Sequence, residues 1–130
     1  TKKDKNMGFM KQYETQTYAL LRIVSGFLFI FHGIPKMQAI MAGEASWMYY
    51  LAGPIEVIGG VLIMIGLCTS AAAFLSSGLM AGAYWLIHFS KMGGGLPINN
   101  KGDAAVLFCF IFLFIAAKGS GTWSVDEKRS

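Results

Sequence analysis

Charge is scarce in this chain: only 14% of its 130 residues are charged, against roughly 25% in a soluble domain. What charge there is lies mostly before Tyr18, in two connecting stretches, or after Ala117. A soluble domain puts charge on every element, because every element has a wet face. That absence excludes an ordinary water-soluble fold. Cysteine is as scarce. Cys68 and Cys109 are the only two, both in apolar surroundings, and no CxxC occurs. A redox dithiol and a cysteine metal site are therefore not indicated, and small buried hydrophobes are the simpler reading. No basic stripe alternates with aromatics, so the formal net charge of +4 does not point to nucleic acid. A cleaved signal peptide is not expected either, because Pro35, Lys36 and Met37 follow the first apolar stretch where small residues would be needed.

What the chain has in quantity is apolar sequence, 55% of it. Four apolar segments stand out, at about 18–35, 48–67, 69–90 and 103–118. Each approaches the roughly 20 residues that carry a helix across a bilayer, with the first and last short. The first is expected to end at Pro35, where the ring removes a donor and crowds the preceding turn. Residues 66–70 read as a tight turn, and Gly93–Gly95 with Pro97 and Asn99–Asn100 as a turn-rich loop. The length suits one domain over 1–130. The expected fold is an all-α integral membrane protein, a four-transmembrane-helix bundle.

Orientation follows from lysine and arginine. Lys2, Lys3, Lys5, Lys11, Arg22, Lys118, Lys128 and Arg129 share one side, against Lys36, Lys91 and Lys101 on the other. That asymmetry places the N- and C-termini in the cytoplasm. Arg22, near the inner end, reads as a topology anchor at the headgroups. Gly78 and Gly82 form a G-x-x-x-G pair on the third helix, and Gly59–Gly60 lie midway along the second. Small residues of this kind allow helices to pack closely in lipid. They are the expected helix-packing positions.

The polar residues inside these segments carry the chemical argument, since an ionisable group in a membrane helix is costly. On the first helix Arg22, Ser25, Gly26, Phe29, His32, Gly33 and Lys36 recur at spacings of three and four, which makes one stripe. Glu56 falls on a similar stripe of the second helix with Gly53, Gly59 and Gly60, and Tyr84 and His88 on one of the third. Asp103 opens the fourth. At about 1.5 Å per residue, Glu56 lies roughly 9–12 Å inward from the outer start of its helix. His32, Glu56, Tyr84, His88 and Asp103 thus form one candidate ligand or proton site in the outer half of the bundle. A carboxyl, two imidazoles and a phenol beside an apolar cavity suit a quinone head group and its protons. The same groups also suit a closed network that pins three helices together. Metal binding is the weaker reading, because the two histidines and the carboxylate come from three helices with no local ligand spacing. No nucleophile motif accompanies them.

These residues also carry a resemblance. Leu21-Arg22, Gly26-Phe27-Leu28-Phe29 and His32-Gly33-x-x-Lys36 resemble the start of the DoxX family, as does Glu56-x-x-Gly59-Gly60-x-Leu62-x-x-x-Gly66-Leu67 on the second helix. His88, the Asn100-Lys101-Gly102 turn and the ending Gly119-Ser120-Gly121-x-x-Ser124-Val125-Asp126 are similar to the family pattern too. Asp103 departs from it, standing where the family more often has Glu. The resemblance implies a four-helix protein of the bacterial cytoplasmic membrane linked to respiratory or sulfur-oxidising chemistry. Members are described as subunits of a terminal quinol oxidase or a thiosulfate:quinone oxidoreductase, and others accompany oxidative-stress complexes.

Two functions follow as expectations. One is an accessory, non-catalytic membrane subunit of a redox complex that contacts quinone, with membrane lipid and other integral subunits as partners and no covalently bound cofactor. The other is a scaffold or assembly subunit with neither ligand nor activity of its own. A transport role is less favoured, because four short helices without broken midplane segments leave little room for alternating access.

Overall fold

The computed structural model describes residues 8–130, and Lys2, Lys3 and Lys5 of the basic arm lie outside them. Every regular element among the described residues is helical: α1 Glu14–Met41, α2 Trp47–Ile65, α3 Thr69–Ala83 continued by a π-helical turn Tyr84–Phe89, α4 Asp103–Lys118, and a short α5 Val125–Arg129. A 3₁₀ turn, Lys11–Tyr13, leads into α1. Three continuous helical stretches are long and apolar enough to cross a membrane: Lys11–Met41, Trp47–Ile65 and Thr69–Phe89.

The first four helices run up and down. Gly26 of α1 lies against Gly60 and Met64 of α2, and Gly33 lies against Glu56 and Val57. Gly59 of α2 meets Ser76 of α3, and Ser77 of α3 donates to the Cys109 carbonyl of α4 at 2.7 Å. Along α1 and α2 the contacts run in opposite directions, residue 26 meeting 60 and residue 33 meeting 56. Tyr18, near the start of α1, donates to the Gly119 carbonyl just past α4 at 2.6 Å. The start of α1 and the chain's tail therefore share one end, called the inner end below. The other end is the outer one.

Close packing of α1 on α2 has a simple origin. A Cβ on Gly26 would stand 2.6 Å from the Gly60 carbonyl oxygen, and one on Gly60 would stand 2.6 Å from Ile30 Cγ1. Both lie below any real contact, so only glycine admits this approach. Gly33 and Gly53 continue the seam outward, Gly53 against Lys36, Met37 and Ile40. Those last contacts explain why α1 does not stop at Pro35. The ring removes a single N–H donor, while packing on Gly53 holds the next six residues in the helix. The expected end at Pro35 is therefore wrong by nearly two turns.

The close contact expected at Gly78 and Gly82, within the chain or with a partner, is not made within the described residues. A Cβ on either residue would meet nothing within 4 Å. Among the described residues the G-x-x-x-G pair is a gap, and Gly26, Gly33, Gly59 and Gly60 make the close helix contacts.

At mid-depth the bundle is closed by three rings. Phe29 of α1 is fully buried and sits 4.7 Å from Phe112 and 5.6 Å from Phe108 of α4, centroid to centroid. Phe108 and Phe112 stack at 5.4 Å. Ile63, Ala73 and Ile115 continue this buried core toward the inner end. It separates two polar regions, one at each end of the bundle.

Candidate functional site

At the inner end, Arg22 is fully buried. Its Nε donates to the Ile63 carbonyl at 3.0 Å, and Nη2 reaches Met64 at 3.5 Å and Trp123 at 2.7 Å. Nη1 donates to Thr122 at 3.0 Å and to Ser120. Two of these acceptors are carbonyls in the last turn of α2, where a cation also meets the negative end of the helix dipole. The others lie in the 120–123 segment. The expectation of a headgroup anchor fails here: the guanidinium is enclosed by protein, because its five N–H groups find backbone carbonyls there.

The tail completes this lock. Gly66 takes φ +74° at the end of α2, and the N–H groups of Gly66 and Leu67 close the Schellman pattern on Ile63 and Leu62. A Cβ on Gly66 would lie 2.3 Å from Ser124 Cβ. Asp126 accepts from the backbone N–H groups of Thr69 and Cys68, both at 3.0 Å, and from the Thr69 hydroxyl at 2.9 Å. It thereby caps α3 from a distant part of the chain. The N–H bonds from Thr69 and then Cys68 hold the Asp126 carboxyl below its ordinary 3.8.

The outer end is built differently. Glu56 of α2 is 2% exposed, and Lys36 Nζ lies 3.0 Å from Oε2 and 3.2 Å from Oε1. Lys36 donates to Oε1 with proper geometry, and Oε2, although close, has no aligned donor. The lysine also donates to the His32 carbonyl at 3.1 Å. A cavity of about 200 Å³ opens beside this pair. Its walls include His32, Lys36 and Glu56 from α1 and α2, Met80 and His88 from the third helix, and Lys101 and Phe108 from the fourth and the loop before it. The His32 ring stands edge-on to Phe108 at 5.4 Å.

His88 is fixed by its Nδ1, 3.1 Å from the Asn100 carbonyl oxygen. A carbonyl only accepts, so Nδ1 carries the hydrogen and Nε2 of the neutral ring is an acceptor. Asn100 is fully buried and accepts from the Gly102 N–H at 3.1 Å. The π-helical turn Tyr84–Phe89 delivers this arrangement. Its i→i+5 bonding re-aims side chains relative to an α-helix, and such turns recur at functional sites.

Of the five residues expected in one site, three converge: His32, Glu56 and His88 line the cavity. Tyr84 does not. Its hydroxyl donates to the Gly95 carbonyl at 3.2 Å and accepts from Asn100 at 3.3 Å, and its ring stacks near His88 at 6.5 Å. It latches the 93–102 loop. Asp103 is exposed and outside the cavity wall. As the first residue of α4 it stands where an acid suits the positive end of the helix dipole.

Lys36, Lys101, Asn100 and Phe108 were not singled out from the sequence as site residues. Lys36 left a signal there, four residues after His32 on the same stripe, and Asn100 and Lys101 did as part of the turn before the fourth helix. The other three are brought in by how the 93–102 loop folds back. No group of three or more His, Cys, Asp or Glu among the described residues is arranged to hold a metal ion.

Apolar membrane-length helices with a polar cavity at one end define a polytopic membrane protein. The family model that matches residues 17–89 is DoxX. The chain belongs to the DoxX family. It is 35% identical to an uncharacterised protein of Haemophilus influenzae over 94% of this chain and 97% of that one. It is 36% identical to the protein of Bacillus subtilis named "Putative oxidoreductase CatD", over 89% of this chain and 88% of that one. An uncharacterised membrane protein of Mycobacterium tuberculosis is 28% identical over 85% of this chain and 79% of its own length. No solved structure matches.

Proposed function

We propose that the chain is an accessory membrane subunit of a redox complex, and that its outer cavity receives the head group of a quinone. The observation that carries this reading is Glu56, a carboxyl 2% exposed, with one oxygen lacking an aligned donor beside a cavity of about 200 Å³. A buried polar atom without a partner is costly, and a ligand that supplies one removes the cost. The residues fit the group: Lys36 and Lys101 offer N–H donors to a carbonyl oxygen, and the His88 ring nitrogen not held by Asn100 offers a partner to a hydroxyl. Phe108 and Met80 supply an apolar wall for a flat ring. When bound, a quinone supplies the two-electron, two-proton chemistry. The chain's own residues hold it, keep water out at the Phe29–Phe108–Phe112 layer and exchange protons at Glu56 and His88. The name of the Bacillus subtilis relative is consistent with such a role.

This reading places the protein in a bacterial cytoplasmic membrane as one domain that spans it four times, with the inner end in the cytoplasm. At 1.5 Å per residue the 16 residues of α4 extend about 24 Å, short of a ~30 Å hydrocarbon core. The membrane thins at α4, or its polar flanks enter the interface.

The test is purification from the native membrane in mild detergent, with mass spectrometry of co-purifying proteins and lipid-soluble ligands. Oxidase or dehydrogenase subunits together with a quinone are expected. Glu56→Gln and His88→Ala are expected to lower quinone turnover by the complex. Unchanged turnover in both variants would discard the site. Partner subunits without quinone would favour the scaffold alternative instead.

A further inference from the structure

The Gly78–Gly82 gap belongs to a larger feature. A second cavity, about 390 Å³, runs between α2 and α3 as a groove lined by Trp47, Leu51, Gly78, Gly82 and Leu86, among others. It is apolar along its length and meets polar groups only at its outer end. There it shares Lys36, Ala83 and His88 with the Glu56 cavity. The two spaces therefore adjoin at those residues. Trp47, Leu51 and Leu86 on the groove are each more than half exposed, so the groove opens sideways between two helices.

The glycines of this bundle divide into two sets. Gly26, Gly33 and Gly60 are jammed against a neighbour within 3 Å of where a Cβ would stand, whereas Gly78 and Gly82 face open space. Glycine inside a helix costs about 1 kcal/mol relative to alanine. In the first set the close approach of two helices offsets that cost. In the second nothing inside the described chain does, and what the missing side chains create is room.

We propose that this groove is the lateral entrance and tail channel of the Glu56 cavity, and that its occupant is the prenyl tail of a quinone. The assignment rests on the reading of the outer cavity as a quinone head-group site. Apolar walls exclude a polar segment, and continuity with Lys36 and His88 requires an occupant with a polar head at one end only. A neutral, acceptor-bearing head suits that end. Glu56 already pairs with Lys36, so the cationic charge that an anionic phospholipid would need is partly spent. A molecule dissolved in the bilayer reaches the site through this groove without crossing the Phe29 layer or the loop held by Tyr84.

The experiment uses the full chain in phosphatidylcholine nanodiscs, with quenching of tryptophan fluorescence by added quinones. Trp47 lies on the groove and reports occupancy. Two probes are compared, a tail-less dimethoxy-methyl-benzoquinone and the same ring with a long prenyl tail. In the double variant Gly78→Leu/Gly82→Leu, binding of the long-tailed probe is expected to weaken about tenfold, the size of a steric clash in a packed site. The tail-less probe is expected to change by less than about twofold. Because each probe is compared between variant and parent, its partition into lipid cancels. The double variant Gly78→Ala/Gly82→Ala, which fits the free space, is expected to give an intermediate loss for the long-tailed probe alone.

Unchanged affinity for the long-tailed probe would overturn the tail channel and leave the head-group site standing. Equal loss for both probes in the alanine pair would overturn it too, since the effect would then lie in the head-group site. If the parent binds neither probe, the functional reading falls and the channel with it. Two further results assign the groove to another occupant and refute the proposal. One is a dimer that the leucine pair converts to monomer, and the other is displacement of the long-tailed probe by phosphatidylglycerol.

Discussion

The two ends of the bundle use the same kinds of residue to opposite effect. At the inner end a buried cation, Arg22, meets five backbone carbonyls, so each of its N–H groups has an acceptor. At the outer end a buried anion, Glu56, has one cation beside it, an oxygen without an aligned donor, and open space. A polar group in an apolar bundle becomes a lock when its partners saturate it. It becomes a site when they do not. Backbone regularity follows the same division. The inner end is finished by a Schellman turn and a distant cap, whereas Pro35, Pro54 and the π-turn lie toward the outer end.

The largest effect should come from breaking the lock. Arg22→Ala leaves carbonyls at the end of α2 and in the 120–123 segment without donors. It should cost about 3–5 kcal/mol, the usual range for removing one side of a buried charged network. Thermal unfolding in detergent measures it. Arg22→Lys should recover less than half of the loss, because an ammonium cannot reproduce the planar fork. Full recovery by lysine would mean that charge alone matters there.

Next in size is the contrast between the two glycine sets. Gly60→Ala inserts a methyl 2.6 Å from Ile30 Cγ1 and should destabilise by about 1–3 kcal/mol, as overpacking does. Gly78→Ala, in open space, should be neutral or stabilise by up to about 1 kcal/mol through helix propensity. Equal costs at both positions would erase the distinction between seam and groove.

Glu56→Gln should separate function from stability. Lys36 is a quarter exposed and can turn toward water once its partner is neutral. Unfolding should therefore shift by less than it does in Arg22→Ala, while quinone turnover falls. A loss of stability as large as that of Arg22→Ala would make Glu56 a second lock.

The smallest effect concerns the tail. Asp126 is held below its ordinary 3.8 by the Thr69 and Cys68 N–H groups, so its folded pKa is depressed. Its stabilising contribution is then complete above the unfolded-state value and fades as pH falls below about 4 toward the folded value. Asp126→Asn should flatten that part of the stability–pH curve and leave the rest parallel. An unaltered acid limb would place the pH dependence elsewhere.

Much of this was legible in the chain itself. Apolar runs of bilayer length made the all-helical fold and the order of its long helices legible, because in lipid every backbone group must be satisfied within its own segment. His32, Glu56 and His88 were legible for a related reason: a polar residue in such a run stands out, and each falls on a polar stripe of its own helix. Helix ends were less so. Pro35 reads as a stop because local sterics disfavour continuation, and packing against Gly53 overrides them. The G-x-x-x-G pair shows a different limit, since a glycine that admits a neighbour within the chain and one that leaves a gap there look the same in one dimension.

By itself, then, the sequence determined an all-helical membrane protein of the DoxX family and the set of polar residues that its helices must bury. Only the tertiary structure decided that Arg22 faces inward onto carbonyls, and that Tyr84 and Asp103 stand outside the cavity while Lys36, Lys101 and Phe108 line it. Burial cost depends on residue type and is written locally. Whether a buried group is saturated depends on what the folded chain brings within 3 Å, and in α2 and the tail those partners lie about 40 to 100 residues away.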